Sequence, residues 1–258
     1  MRRWYGLALM LVLLGFLSAC APSQVEPTPL PPSQTPTITP TITVTIDWFP
    51  ATATPTLRPT EIIEPTSEMR PGVGSILIED LLGSGSDWRT GAFSAGNITL
   101  VNDSLTLAIQ QSKASLLSLE LKNVWRDFYL ETDVNIGLCR GKDVYSIVVR
   151  SISEYNYYRF LVDCQGNARA ERVRDGSTTL MQDWTPTGIP PGAPQNVSLG
   201  VWVVGSEMRL FANNAYVFSV KDPVFTDGTI GVFARAEGDS PVTVSFSEMK
   251  VSAVDPTQ

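Results

Sequence analysis

The 258-residue chain contains no histidine. That single absence excludes a Ser-His-Asp triad, a Cys-His dyad and any zinc site with an imidazole ligand in this chain. Basic residues are also short: 19 Lys and Arg stand against 26 Asp and Glu, a net charge of −7. Nucleic acid and anionic lipid headgroups are poor partners for such a chain. Beyond Ser75 no stretch carries a convincing 3.6-residue apolar period, so helices are not expected there. Of the three cysteines, Cys20, Cys139 and Cys164, none lies in a CxxC spacing. No apolar run reaches the ~20 residues that span a bilayer.

The longest apolar run, Trp4 to Leu17, follows Arg2 and Arg3 and stops at "LSAC", Leu17 to Cys20. A basic start, a short apolar stretch and a small-residue stop read as a signal peptide over 1–19. The stop resembles a bacterial lipobox, which implies that Cys20 becomes the first mature residue and carries lipid. Its thiolate would take a diacylglyceryl group, and two or more acyl chains suffice for stable anchoring. A plain secretory signal and an N-terminal membrane helix are the alternatives. In all of these the remainder is exported, with 17 basic and 26 acidic residues once Arg2 and Arg3 are removed, a net −9.

Residues 20–74 change character, with 12 prolines and 12 threonines between Ala21 and Gly74. Such a segment buries too little apolar surface to offset its ordering entropy and is expected to be a disordered tether. From Ser75 to the end, β-rich runs of 5–12 residues alternate with turn signals such as "NDS" at 102, "CQGN" at 164, "DGS" at 175, "NN" at 213 and "DG" at 227. Roughly a dozen short strands predict an all-β, two-sheet antiparallel sandwich or jelly roll over 75–258.

Alternation tells which side chains face inward. Phe128, Leu130, Thr132, Val134 and Ile136 make one inner row, Tyr145, Ile147 and Val149 a second, and Tyr158, Phe160 and Val162 a third. In the last strand Val242, Val244 and Phe246 share a parity that Met249 and Val251 do not, which predicts a bulge near Ser247. Tyr155, Tyr157, Arg159 and Asp163 fall on the outward parity. Were the runs between 127 and 164 a meander, Glu131 would line up with Arg150 and Tyr157, and Asp133 with Val148 and Arg159.

"DFYLETDV" at 127, "CRGKDVYSIVVRS" at 139, "YNYYRFLVDCQG" at 155, "LMQDWTPTGIPPGAPQNVSLGVWVVGSEMRLFANN" at 180 and "VFTDGTIGVFARAEGDSPVTVSFSEMKV" at 224 resemble a family of bacterial lipoproteins. The resemblance covers about residues 76–253. It implies a concanavalin A-like lectin/glucanase jelly roll, close to the domain labelled 3-keto-disaccharide hydrolase. That fold hosts lectins, glycoside hydrolases and adhesion modules alike, so it implies no single activity.

Two chemical readings compete on the outer surface. Laminarinase-type members of this fold carry a Glu-x-Asp-x-(x)-Glu strand; Glu131 and Asp133 match its first two positions, while Asn135 and Ile136 stand where the final glutamate belongs. No residue is assigned as catalytic. Binding asks for aromatic platforms beside carboxylates and guanidiniums, which Glu131, Asp133, Arg150, Tyr157 and Arg159 supply, with Trp184 at the rim. Cross-strand ion pairs on a surface that binds nothing are the alternative.

The expected protein is therefore a lipid-anchored surface protein at the outer face of a bacterial membrane, recognising carbohydrate or another surface polymer. A glycoside-acting hydrolase and an adhesion module with a protein partner are the alternatives. No cofactor is called for, although "DGT" at 227 and "GDS" at 238 are turns of the kind that hold calcium. In an exported protein Cys139 and Cys164 are expected to bridge, two buried free thiols being the alternative. Across an intervening meander strand they would stand ~10 Å apart, beyond the ~7 Å reach of a bridge, unless the "CRGKD" loop curls over.

Overall fold

The β-branched and aromatic alternation between Val73 and Val254 becomes fifteen strands, and among the described residues there is no helix. The computed structural model describes residues 69–79, 81–83, 86–239 and 241–255. Residues 1–68, on which the expected signal peptide, the lipidation of Cys20 and most of the expected tether fall, lie outside the described residues. In chain order the strands are β1 (Val73–Ile78), β2 (Gly91–Phe93), β3 (Gly96–Val101), β4 (Ser104–Ile109), β5 (Ser115–Leu119), β6 (Phe128–Leu138), β7 (Val144–Ser153) and β8 (Asn156–Asp163). They continue as β9 (Asn167–Arg174), β10 (Ser177–Pro186), β11 (Gln195–Val204), β12 (Glu207–Ala212), β13 (Ala215–Lys221), β14 (Thr229–Arg235) and β15 (Val242–Val254).

The strands form two antiparallel sheets packed face to face, the expected jelly-roll sandwich. One has nine strands in the order β13-β12-β11-β6-β15-β4-β3-β2, with β1 added on β15; the other has six, β10-β9-β8-β7-β14-β5. Phe128, Leu130, Val134 and Ile136 from the first sheet meet Tyr145, Ile147, Val149, Tyr158, Phe160 and Val162 from the second in one core. All three inner rows read from alternation are there. The parity change in β15 is a bulge between Ser247 and Lys250, with Glu248 at φ 47°. At that bulge β15 exchanges one neighbour for another, pairing Val242–Phe246 with β4 and Val251–Val254 with β1. The three-residue β2 is too short for alternation to announce.

The meander from 127 to 164 does not form. β6 lies between β11 and β15 in the nine-stranded sheet, whereas β7 lies between β14 and β8 in the six-stranded sheet. The chain crosses from one sheet to the other through Cys139–Asp143. The Glu131–Arg150 and Asp133–Arg159 alignments therefore disappear, because their members belong to different sheets. The same crossing removes the reach problem: Cys139 and Cys164 are bridged with their Cα atoms 5.8 Å apart.

Asp143, 2% exposed, organises the crossing. Its carboxylate accepts N–H bonds from Arg140 (2.9 Å), Glu237 (2.9 Å) and Gly238 (3.4 Å), while its carbonyl accepts from the Cys164 N–H (3.1 Å). Two loops and a strand end are thus tied to one buried carboxylate beside the disulfide. The bridge closes a loop of 25-residue separation. Replacing both cysteines by serine is expected to lower unfolding stability by about 3–4 kcal/mol in a urea titration.

Candidate functional site

The six-stranded sheet has a second face, pointing away from the core, that alternation reads as polar. Parity is kept there and exposure is not. Tyr157 and Arg159 lie on that face yet are 5% and 6% exposed, whereas Tyr155 in the β7–β8 turn is 63% exposed. The reason is a second apolar cluster on this face, Leu119, Val144, Val148, Tyr157, Leu161, Val173 and Phe233, with Leu117 packed against it.

Within that cluster the hairpin of β8 and β9 sets a charged row. Arg159 pairs across the strands with Glu171, and Leu161 with Arg169. The Glu171 carboxylate is held from both sides. Its Oε2 receives Arg159 Nε at 2.7 Å and Nη2 at 2.6 Å, and its Oε1 pairs with Arg169 Nη2. Each guanidinium also rests on a ring: Arg159 lies 4.7 Å from the Phe233 centroid and Arg169 4.7 Å from that of Trp184. Trp184, on edge strand β10, is 37% exposed, so this stack ends in solvent.

On the opposite flank a cleft of about 330 Å³ opens among Arg89, Phe93, Leu117, Glu154, Tyr157 and Phe233. Arg89 spans it, ion-paired with Glu154 at 2.6 Å and 5.7 Å from the Phe93 ring centroid. Burial pushes the Tyr157 phenol above its ordinary pKa, against the charge and hydrogen bond of Arg159. Tyr157 therefore stays a neutral hydroxyl at physiological pH. One face thus presents an exposed indole and the partly exposed Arg169 guanidinium, held from beneath by the buried Arg159–Glu171 pair and an apolar floor, a set suited to stacking a ring and bonding a group on it.

Of the residues singled out by sequence, Tyr157, Arg159 and Trp184 share this face. Arg150 does not, and its outward placement is corrected. The backbone at Arg150 takes φ 51° and breaks the alternation of β7, turning the side chain inside where it is fully buried. Its guanidinium donates to the carbonyls of Phe225 (3.2 Å) and Arg126 (2.9 Å) and lies 3.7 Å from Asp127. Burial pulls its pKa down and Asp127 works to hold it up. Gly228 makes the bulge possible, since a Cβ there would stand 2.5 Å from the Arg150 carbonyl carbon.

Glu131 and Asp133 lie on β6 in the other sheet. Glu131 is flanked by Gly200 and Lys250, and Asp133 by Ser198 and Ser247. Ser198 Oγ donates to Glu131 Oε1 at 3.5 Å, and a cleft of about 260 Å³ runs along Asp133, Asn135, Asn196, Ser198 and Ser247. Asp227 of the "DGT" turn is ion-paired with Arg126 at 3.2 Å. Among the described residues no three acidic or thiol groups converge as a cation cage would require.

Arg169, Glu171 and Phe233 were not anticipated from sequence. The signal for the first two was present: the turn "CQGN" pairs "YYRFL" with "ARAER" as a hairpin and sets Glu171 opposite Arg159. Phe233 comes from a strand some seventy residues further on, and no local turn connects it to Arg159.

No known protein family matches the chain, and no curated protein does. In fold it is similar to a carbohydrate binding module from Bacillus subtilis, at 17% identity over 64% of this chain and 95% of that one, with a TM-score of 0.50. It is also similar to a protein of unknown function with a galectin-like fold from Bacillus subtilis, at 13% identity, 71% and 99% coverage and a TM-score of 0.51. A sialidase shares the fold at 13% identity and a TM-score of 0.50; the chain covers 19% of that protein's length. At these identities the likeness is one of fold.

Two substitutions separate the parts of the site. Glu171→Ala leaves Arg159 as a buried charge with no counter-ion and is expected to cost about 3–5 kcal/mol of stability by urea denaturation. Trp184→Ala, on an edge strand, loses the stack on Arg169 and is expected to cost about 1 kcal/mol, clearly less than Glu171→Ala.

Proposed function

We propose that the protein is exported, anchored through lipid on Cys20, and binds carbohydrate on the outer face of the six-stranded sheet. The anchor reading rests on "LSAC" at 17–20 and on the Pro/Thr-rich composition that follows it, which would hold the β-sandwich away from the membrane. The binding reading rests on one observation: the exposed Trp184 ring stacked on Arg169, whose guanidinium is fixed by Glu171 beside Arg159. An aromatic plane with an oriented guanidinium beside it suits recognition of a sugar ring and the groups it carries. One fold neighbour is a carbohydrate binding module, which agrees with this reading.

The test is retention of the full chain on a broad glycan and polysaccharide array, with and without calcium. Retention of at least one glycan is expected. Trp184→Ala should weaken it about tenfold or more while circular dichroism shows the domain still folded, the loss of one stacking platform being worth roughly 1–2 kcal/mol. Ser245→Ala, on the nine-stranded sheet, should bind as the parent does. Retention that survives Trp184→Ala but is lost when Asp133 is changed to Ala would move the site to the other sheet, and a blank array would end the carbohydrate reading.

A further inference from the structure

The charged row carries an odd charge. Arg159 and Arg169 share the single carboxylate of Glu171, and the side chains of Arg159 and Glu171 are only 7% and 3% exposed. Both Glu171 oxygens are occupied, so the group is one positive charge in excess. Its only wetter member is Arg169, 23% exposed, and Arg169 Nε is buried with no hydrogen-bond partner.

Other carboxylates of this face are engaged elsewhere. Asp163, one row further along β8, accepts the N–H groups of Gln165 (3.0 Å) and Asn167 (2.8 Å) and the Asn167 side-chain amide. Glu237 is ion-paired with Arg235, and Glu154 with Arg89. A partly exposed guanidinium that shares its one carboxylate with a second arginine, beside an exposed indole, is complementary to an anionic group attached to a ring.

We infer that the saccharide taken by this face bears a carboxylate or a sulfate, which pairs with Arg169 while the sugar ring stacks on Trp184. The inference rests on the carbohydrate-binding reading above and narrows its ligand class. Long-range attraction of a polyanion to the chain as a whole is disfavoured, because the chain carries a net −7.

The test uses matched pairs and the full chain. Polygalacturonate is compared with its methyl ester, and dextran sulfate with dextran, by affinity electrophoresis at low and high salt. The charged member of at least one pair should bind about tenfold or more tightly than its neutral partner, the range expected of a charge-assisted pair. The first pair reports a carboxylate and the second a sulfate. The preference should shrink with salt. It should vanish in Arg169→Gln, and Arg169→Lys, which keeps the charge but not the fork, should recover part of it. Should the Gln variant fail to fold by circular dichroism, the Lys variant carries the comparison.

Equal binding of charged and neutral partners, or retention of neutral glycans alone on the array, would overturn the anionic ligand and leave the binding reading standing. Retention of nothing, on the array and in both pairs, would overturn the two together.

Discussion

The crossing of the chain between Leu138 and Val144 is the constraint from which the arrangement of both sheets follows. Had the chain turned back beside β6, β7 would have joined the nine-stranded sheet. The disulfide and the buried Asp143 carboxylate instead hold the crossing loop, the end of β8 and the loop after β14 at one end of the sandwich. β7 then pairs with β14 on one side and opens the run of hairpins β7-β8-β9-β10 on the other. That run carries Arg159, Glu171, Arg169 and Trp184 onto one face.

Stability alone does not account for the charged row. Removing three charged side chains from water costs several kcal/mol per ion, and well-packed apolar residues commonly serve a fold as well or better. The apolar neighbours Val148, Leu161, Val173 and Phe233 show that this face accommodates such residues. What the row fixes is orientation: two guanidiniums are locked against one carboxylate and against rings, with Arg169 at the solvent edge. Arg150 makes the contrast. Its guanidinium is also buried, but its bonds run to backbone carbonyls of neighbouring loops, and it holds the fold together without facing solvent.

Strand positions and inner rows were legible because period-2 alternation and turn residues are local signals. The bulge at Ser247 was legible for the same reason, as a switch of parity within one strand. Sheet membership was not. Two strands separated by a five-residue loop can form a hairpin or cross between layers, and only contacts distant in sequence, such as Asp143 with Glu237, decide between them. Arg150 was misplaced because a left-handed residue within a strand breaks the alternation on which its reading depended. Tyr157, Arg159 and Trp184 were found as residue types suited to binding. The partners that give them geometry, Glu171 and Arg169, needed the β8–β9 hairpin, and Phe233 needed the whole sheet.

The measurement that bears most directly on the site is amide chemical-shift mapping of the full chain titrated with the saccharide that retains it best. Shifts centred on Arg169, Glu171 and Trp184, spreading to Arg159 and fading across the nine-stranded sheet, are the expected result. Shifts centred on Glu131, Asp133 and Ser198, with β8 to β10 unmoved, would contradict it.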